Sequence, residues 1–423
     1  MNKIKVRYAP SPTGIPHVGN IRTALFNYLF AKNKKGKFIL RIEDTDRKRL
    51  VPQAEEKIEE SLKALNLNWD EKIIQSQRLE IYKKYLDQLK EKKVVYEDEG
   101  SWRFKVEKGQ ELTWSDGVHG AVSFKSDVIE DFVIIKSDGF PTYHFASVVD
   151  DHDTQISHVF RGDEWISSTP KHLMIYQSFG WQAPVFVHLP VILGADKKKL
   201  SKREGAKTVF EYLEEGLLPE TIINFLALLG WSPEGEQEIF SLEELVKEFS
   251  IERINKNSPV FNVDKLIWMN GQWIHKRLEV GDLVERINKK FPNLNKKEIL
   301  EYLPLVRDRL SSIDDYPKIT NFLTSEKINI DPNKIILPAD KLVKIKNEYK
   351  VIDPLKWDKT FIGNATASVI QHEGLSKGET LSSIGTAVSG STVTPPIYDS
   401  LEKLGKEKTL ERLDEAIRKK TQK

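Results

Sequence analysis

Apolar residues change period several times along this chain, and the changes divide it. Ile4 to Tyr8 is a short β-like run, a Pro/Gly-rich turn extends from Ala9 to Pro16, and Ile21, Leu25, Tyr28 and Leu29 then recur at helical spacing. Phe38 to Ile42 predicts a second strand, ending in the polar cluster Glu43-Asp44-Thr45-Asp46. Helices are expected around Ile58, Leu62 and Leu65, and around Leu79, Tyr82, Leu86 and Leu89. From about Val94 to Ile135 the helical period fades, and β-rich pieces stand at 102–104, 121–124 and 132–135. This stretch reads as part of an insertion between two halves of an α/β domain. The α/β pattern resumes with a strand at His158–Phe160. A helix follows, with Thr169 as N-cap, Pro170 at its first position and Gly180 as its stop. Val185 to Leu193 predicts a buried strand interrupted by Pro190.

Beyond Gly205 the chain is almost wholly helical. Pro219–Leu229 ends at Gly230, Ser241 with Glu244 forms a capping box, and amphipathic helices are expected from about Lys276 to Lys423. Ala387 to Pro396 is read as a loop among them. The expected fold class is α/β, a Rossmann-like parallel-sheet domain with an α+β insertion at about 72–135, followed by an all-α C-terminal part. Boundaries are expected at 235/236 and 310/311.

The 423 residues fit roughly three domains at ~150 each, and 39% hydrophobic content supplies real cores. A net charge of +2 carries no polyanion signal, so such contacts must come from local basic faces. The absence of cysteine excludes disulfides, thiol catalysis and Cys-ligated zinc or iron–sulfur sites, and no two of the nine histidines stand at zinc-helix spacing. With no basic-then-apolar leader and no apolar run near ~20 residues, a cytoplasmic monomer with no membrane partner is expected.

Two polar punctuations carry candidate chemistry. The first, Arg7 to Asn20, joins a strand to a helix N-terminus, which is a ready anion site. It offers an imidazole at His17 and a carboxamide at Asn20. The second, Gly194 to Gly205, sets Lys199 and Lys202 on either side of Ser201. Each alone has a plainer reading, a buried histidine or a solvated basic turn, and the acidic cluster after the second strand also fits a helix N-cap. Together in one α/β frame they suit charge stabilisation on a nucleotide's phosphates during attack at the α-phosphorus.

Pro10-Ser11-Pro12-Thr13-Gly14-Ile15-Pro16-His17-Val18-Gly19-Asn20 resembles the HIGH motif of class I aminoacyl-tRNA synthetases in its glutamyl form, and Lys199-Leu200-Ser201-Lys202-Arg203 resembles their KMSKS motif. The likeness continues through 41–46, 141–143, 148–152, 161–164 and 228–233, and more weakly at 394–396, so it covers nearly the whole chain. It is a likeness to the bacterial-type glutamyl-tRNA synthetase family.

The resemblance implies ligation of L-glutamate to tRNA(Glu), with MgATP as co-substrate and glutamyl-adenylate as intermediate. It implies catalytic roles for His17, Asn20, Lys199, Ser201 and Lys202, with ATP held by His17, Gly19, Asn20 and Lys202. Glutamate would be held by Arg7, Ala9, Ser11, Glu43, Tyr143 and Arg161. A guanidinium clamp at Arg7 and Arg161 suits a carboxylate, and Glu43 suits the ammonium. The plainer alternatives are an ion pair of Arg161 with Asp163 or Glu164, and Tyr143 as a core aromatic. The insertion would hold the acceptor end of tRNA, residues 236–310 the stem, and residues 311–423 the anticodon. Lys289, Lys290, Lys296, Lys297 and the tail from Arg418 to Lys423 are candidate phosphate contacts. Two departures stand out: the segment from Val94 to Phe104 is short, so zinc is not expected, and Ser147 and Asp163 stand where the family more often has Asn and Glu. The alternatives are an enzyme that also charges tRNA(Gln), a truncated relative that glutamylates a tRNA base, a non-catalytic RNA-binding relative and, more distantly, a nucleotidylyltransferase with an HxGH-like site.

Overall fold

The computed structural model describes residues 3–200 and 207–422. Contacts divide the chain into two compact units, Met1–Met269 and Asn270–Lys423.

The first unit opens with β1 (Lys5–Tyr8), α1 (Val18–Asn33), β2 (Lys37–Ile42), α2 (Ala54–Ala64) and β3 (Glu71–Ile74). β1 pairs in parallel with β2, and β2 with β3. β2 is buried from Phe38 to Ile42, as expected of a parallel strand covered on both faces. After α3 (Leu79–Glu91) the chain leaves the parallel sheet. β4 (Val95–Asp98) and β5 (Ser101–Phe104) form a hairpin, β6 (Glu111–Asp116) and β7 (Gly120–Lys125) a second, and β8 (Phe132–Ile135) pairs antiparallel with β5. The β4–β5 connection is only Glu99-Gly100, both left-handed at φ 49° and 75°, the geometry of a tight two-residue hairpin turn. This turn accounts for the shortness of the segment after Val94.

α4 (Tyr143–Asp153) leads back to β9 (His158–Gly162), α5 (Thr169–Phe179) and β10 (Val185–Leu189), with β9 and β10 parallel. Ser157 N donates to Lys5 O at 2.8 Å, and Lys5 N to Ser157 Oγ at 3.0 Å, which sets β9 beside β1. The spatial order is therefore β3-β2-β1-β9-β10. Succession reverses between β1 and β9, and ligands of such sheets bind beyond the carboxyl ends of the strands at that reversal.

Two local expectations change here. Thr169 is not an N-cap: it is the first residue of α5, Ser168 precedes it without a side-chain cap, and the Thr169 hydroxyl is turned to Arg161 instead. Gly180 stops the helix as expected, at φ 75°. The strand at 185 ends at Leu189, because Pro190 has no N–H to continue a ladder. The unit continues with α6 (Val209–Glu214), α7 (Pro219–Leu228) and α8 (Leu242–Glu248), which carries the Ser241/Glu244 capping box, and it ends within α9 (Val263–Gln272). Phe240, Leu245, Phe249 and Phe261 join Val6, Leu25, Leu40 and Trp231 in one core.

The second unit contains α10 (Val280–Lys290), α11 (Lys296–Val306), α12 (Asp315–Thr324), α13 (Ala339–Val351), α14 (Lys359–Glu373), α15 (Lys377–Ser389), α16 (Ile397–Leu404) and α17 (Lys406–Thr421). Its core gathers Leu342, Ile345, Ile362, Ile384, Leu401 and Leu413. The loop expected from Ala387 begins later. Ala387 and Val388 are buried on α15, which runs to Ser389 and ends at Gly390, φ 75°. Of the lysines put forward as phosphate contacts, Lys296 pairs with Glu285, Lys290 with Asp314 and Lys419 with Glu415. No described helix is long and apolar enough to cross a membrane.

Candidate active site

A cavity of about 620 Å³ opens at the carboxyl ends of β1 and β9. Arg7, Ala9, Ser11, His17, Gly19, Asn20, Glu43, Tyr143, Arg161 and Lys199 all line it, so ten expected site residues meet in one place. Ser201 and Lys202 lie outside the described residues. The cavity wall carries five Arg or Lys side chains, at 7, 22, 49, 161 and 199, against two carboxylates, Glu43 and Glu164. That excess suits an anionic ligand.

The start of α1 is built as one unit. His17 is its N-cap, and His17 Nδ1 accepts from Gly19 N at 3.0 Å. Asn20 Oδ1 accepts from His17 N at 3.3 Å, closing a capping box with unusual residues. Accepting at Nδ1 puts the proton of the neutral imidazole on Nε2. A Cβ at residue 19 would lie 2.8 Å from His17 Cε1, so glycine is what allows the ring to lie over the helix start. The plainer reading of His17 as a buried core residue fails, because it is only partly buried and lines the cavity.

A buried charge network floors one end of the cavity. Asp151 Oδ1 accepts from Arg7 Nε at 2.9 Å and from Arg41 Nη1 at 2.6 Å. Arg41 Nη2 donates to Glu43 Oε1 at 3.0 Å and to Ser147 Oγ at 3.2 Å. Glu43 is therefore no surface acid or N-cap. Burial raises its carboxyl above the usual value, and Arg41 and Arg7 offset this only in part. Burial likewise works against the Asp151 anion, but Arg41 and Arg7 hold it below the usual range. Arg7, Arg41, Asp151 and Glu43 together sum to zero charge.

Arg161 does not belong to that balance. It is 5% exposed, and among the described residues no carboxylate pairs with it, so the expected alternative of an ion pair with Asp163 or Glu164 is not realised. Its partners are neutral: His188 Nε2 at 3.1 Å, Tyr143 Oη at 3.1 Å, Thr169 Oγ1 at 2.8 Å, and longer contacts to Trp165 O at 3.4 Å and His172 Nδ1 at 3.5 Å. Burial keeps His172 well below its ordinary value, with Arg161 acting in the same direction. Burial, Lys171 and Arg161 push His144, 3.1 Å from His172, down to about 4. Tyr143 is half-buried, holds Arg161 and stands 4.5 Å from Trp165, so it is more than a core aromatic.

The opposite end is looser. Lys199 Nζ pairs with Glu164 Oε1 at 2.7 Å, with side chains 57% and 42% exposed. Such a pair contributes ~0–1 kcal/mol and opens readily. Its hairpin base is firmer: Leu200 N donates to Ile192 O at 2.8 Å, and Leu193 N to Pro259 O at 2.9 Å.

Residues 3–101 and 90–268 match the family described as tRNA synthetases class I (E and Q), catalytic domain, and residues 282–417 match an anticodon binding domain. The chain belongs to the class I tRNA synthetases. A glutamate–tRNA ligase of Dehalococcoides mccartyi is 38% identical over 98% of each chain, and one of Halalkalibacterium halodurans is 38% identical over 97% of this chain and 99% of its own. The crystal structure of a glutamate tRNA ligase from Elizabethkingia meningosepticum in complex with its amino acid superposes with a TM-score of 0.88, at 29% identity and 99% coverage of both chains. Matches of this length, including the anticodon domain, favour neither the nucleotidylyltransferase nor the truncated alternative.

Within this family frame the structure adds residues that sequence reading passed over. Asp151 and Arg41 knit the floor, and Trp165, Thr169, His172 and His188 surround Arg161. Arg41, on β2, stands two residues before Glu43, which directly follows the strand, a period-2 signal that both face one side. Asp151 lies within the 148–152 stretch of the likeness but was given no role, and no sequence signal brings His188 to the site.

Proposed function

We propose that this protein ligates L-glutamate to tRNA(Glu) through a glutamyl-adenylate. An oxygen of the glutamate α-carboxylate attacks the α-phosphorus of MgATP and diphosphate leaves. A hydroxyl of the 3′-terminal ribose of tRNA then attacks the activated carbonyl, and AMP leaves. The observation that carries the reading is Arg161, a buried cation whose contacts are all neutral. An uncompensated buried charge is costly, so the site is completed by an anionic ligand group, and the substrate's side-chain carboxylate fits that demand.

In this reading Arg7 and Arg161 hold that carboxylate, Glu43 takes the ammonium, and Ala9, Ser11 and Tyr143 complete the pocket. Glutamine would leave Arg161 facing a neutral amide, which makes rejection strong without a separate editing site. The α1 N-terminus, with Gly19, His17 and Asn20, holds ATP phosphates, Lys199 meets them from the other side, and Ser201 and Lys202 share the catalytic role. Positive charge waiting where charge develops lowers the barrier without reorganisation. The insertion at about 72–135 is assigned to the acceptor end, residues 236–310 to the stem and 311–423 to the anticodon.

The test is aminoacylation of purified tRNA(Glu) and tRNA(Gln) with labelled glutamate, beside parallel reactions with aspartate and glutamine. Charging of tRNA(Glu) by glutamate alone is expected. Equal use of glutamine would overturn the assignment of Arg161, and charging of both tRNAs would identify the less discriminating form.

A further inference from the structure

The set of groups around Arg161 reaches past the cavity wall into the insertion. The β6–β7 hairpin docks its tip on β10, with Gly117 N donating to Phe186 O at 2.8 Å. A Cβ at residue 117 would lie 2.9 Å from Val187 Cγ2 and 3.1 Å from Ile251 Cγ2, so glycine permits this approach. The docking puts Asp116, 4% exposed, beside His188, which is fully buried. Asp116 Oδ1 accepts from the backbone N–H groups of Val118 at 3.0 Å, His119 at 3.1 Å and His188 at 3.3 Å. Its Oδ2 meets His188 Nδ1 at 2.5 Å. On the far side of the ring, His188 Nε2 accepts from Arg161 Nε at 3.1 Å. Burial opposes the Asp116 anion, but His188 and the backbone donors hold its carboxyl at about 2. Burial keeps His188 below its ordinary value despite Asp116. The arrangement is carboxylate, neutral imidazole, guanidinium.

We propose that Asp116 and His188 are positioning residues for glutamate selection: Asp116 fixes the His188 tautomer with its proton on Nδ1, leaving Nε2 as the acceptor that orients Arg161. This rests on the reading of Arg161 as the seat of the substrate's side-chain carboxylate. The Asp116 carboxylate stands one imidazole away from the guanidinium, which has only neutral groups in direct contact with it. The tautomer matters because the opposite one would set Nε2–H against Arg161 Nε–H, donor to donor. The insertion thereby supplies part of the amino-acid pocket.

The decisive variant is Asp116→Asn in the full-length enzyme. Its amide oxygen remains committed to the three backbone N–H groups, so its NH2 faces His188 Nδ1 and forces the wrong tautomer. Losing one charge-assisted hydrogen bond corresponds to roughly 10-fold, so the KM for glutamate should rise about that much. The KM for ATP, kcat and Tm should stay near wild type. His188→Gln, which keeps an acceptor near the Nε2 position, should recover most of what His188→Ala loses in glutamate KM, and this pair decides the matter if Asp116→Asn does not fold. An unchanged glutamate KM in Asp116→Asn overturns the proposal, as does a parallel rise in the KM values for glutamate and ATP with a lowered Tm. A normal glutamate KM in Arg161→Ala would instead overturn the pocket reading beneath it.

Discussion

The two ends of the cavity are held by opposite means. At the end proposed for the amino acid Arg7, Arg41, Glu43, Asp151 and Arg161 are all buried, and their partners sit at 2.6–3.5 Å on β1, β2, α4, β9, β10 and α5. At the end proposed for the nucleotide the contacts belong to one capped helix start and to a half-exposed Lys199–Glu164 pair. Fixed buried charge suits discrimination between similar small ligands, because a wrong partner leaves a charge unpaired. A weak exposed pair suits a group that must change partners when a polyanion arrives. On the proposed assignment, binding the amino acid and binding the nucleotide demand different stiffness, and one cavity offers both.

The contrast can be broken most severely at its floor. Asp151→Ala leaves Arg7 and Arg41 without their shared carboxylate, so thermal or urea unfolding should show a loss of ~3–5 kcal/mol. A loss below about 1 kcal/mol would mean that the floor is not rigid. Arg161→Ala should lower kcat/KM for glutamate by roughly 10²–10³-fold, the range for truncating one partner of a buried charge pair, with the KM for ATP little changed. At the other end, Lys202→Ala should lower adenylate formation by on the order of 10²-fold, from lost charge stabilisation in the transition state, in single-turnover measurements. Unchanged kcat/KM for ATP would remove Lys202 from that role.

The pH response sharpens the same contrast. His144 titrates at about 4 in the folded protein against an ordinary value of 6.5. Its folded value is depressed, so the folded chain resists a proton that the unfolded chain takes up. The stability linked to neutral His144 is complete above pH 6.5 and is lost as pH falls from there through about 4. Tm should decline over that window, with a shallower decline in His144→Gln. The smallest effect is expected for Glu164→Ala: stability within ~1 kcal/mol of wild type, and a slightly lower KM for ATP because Lys199 is released.

Much of this was legible in the sequence, and for definable reasons. The strand–turn–helix opening, the β-rich pieces of the insertion and the helical C-terminal part follow from local period and from Pro, Gly and capping residues, whose effects act over a few residues. Ten of the expected site residues line one cavity because they punctuate the ends of strands and starts of helices, where a doubly wound sheet collects its ligands. Errors were local as well. Thr169 looked like a cap, but an arginine eight residues earlier claimed its hydroxyl. Ala387 looked like the start of a loop, but core packing extended α15 over it.

By itself the sequence determined the strand–turn–helix opening, the helical C-terminal part, the two phosphate-suited punctuations and the family. Only the tertiary structure decided which charges cancel and which do not. Arg7 and Arg161 read alike as basic residues at strand ends, yet Arg7 shares Asp151 with Arg41, while Arg161 rests on Tyr143, Thr169 and His188. The partner that fixes His188, Asp116, comes from 72 residues earlier in the chain. Electrostatic balance depends on distance and burial in space, and neither can be read from the spacing of residues along the chain.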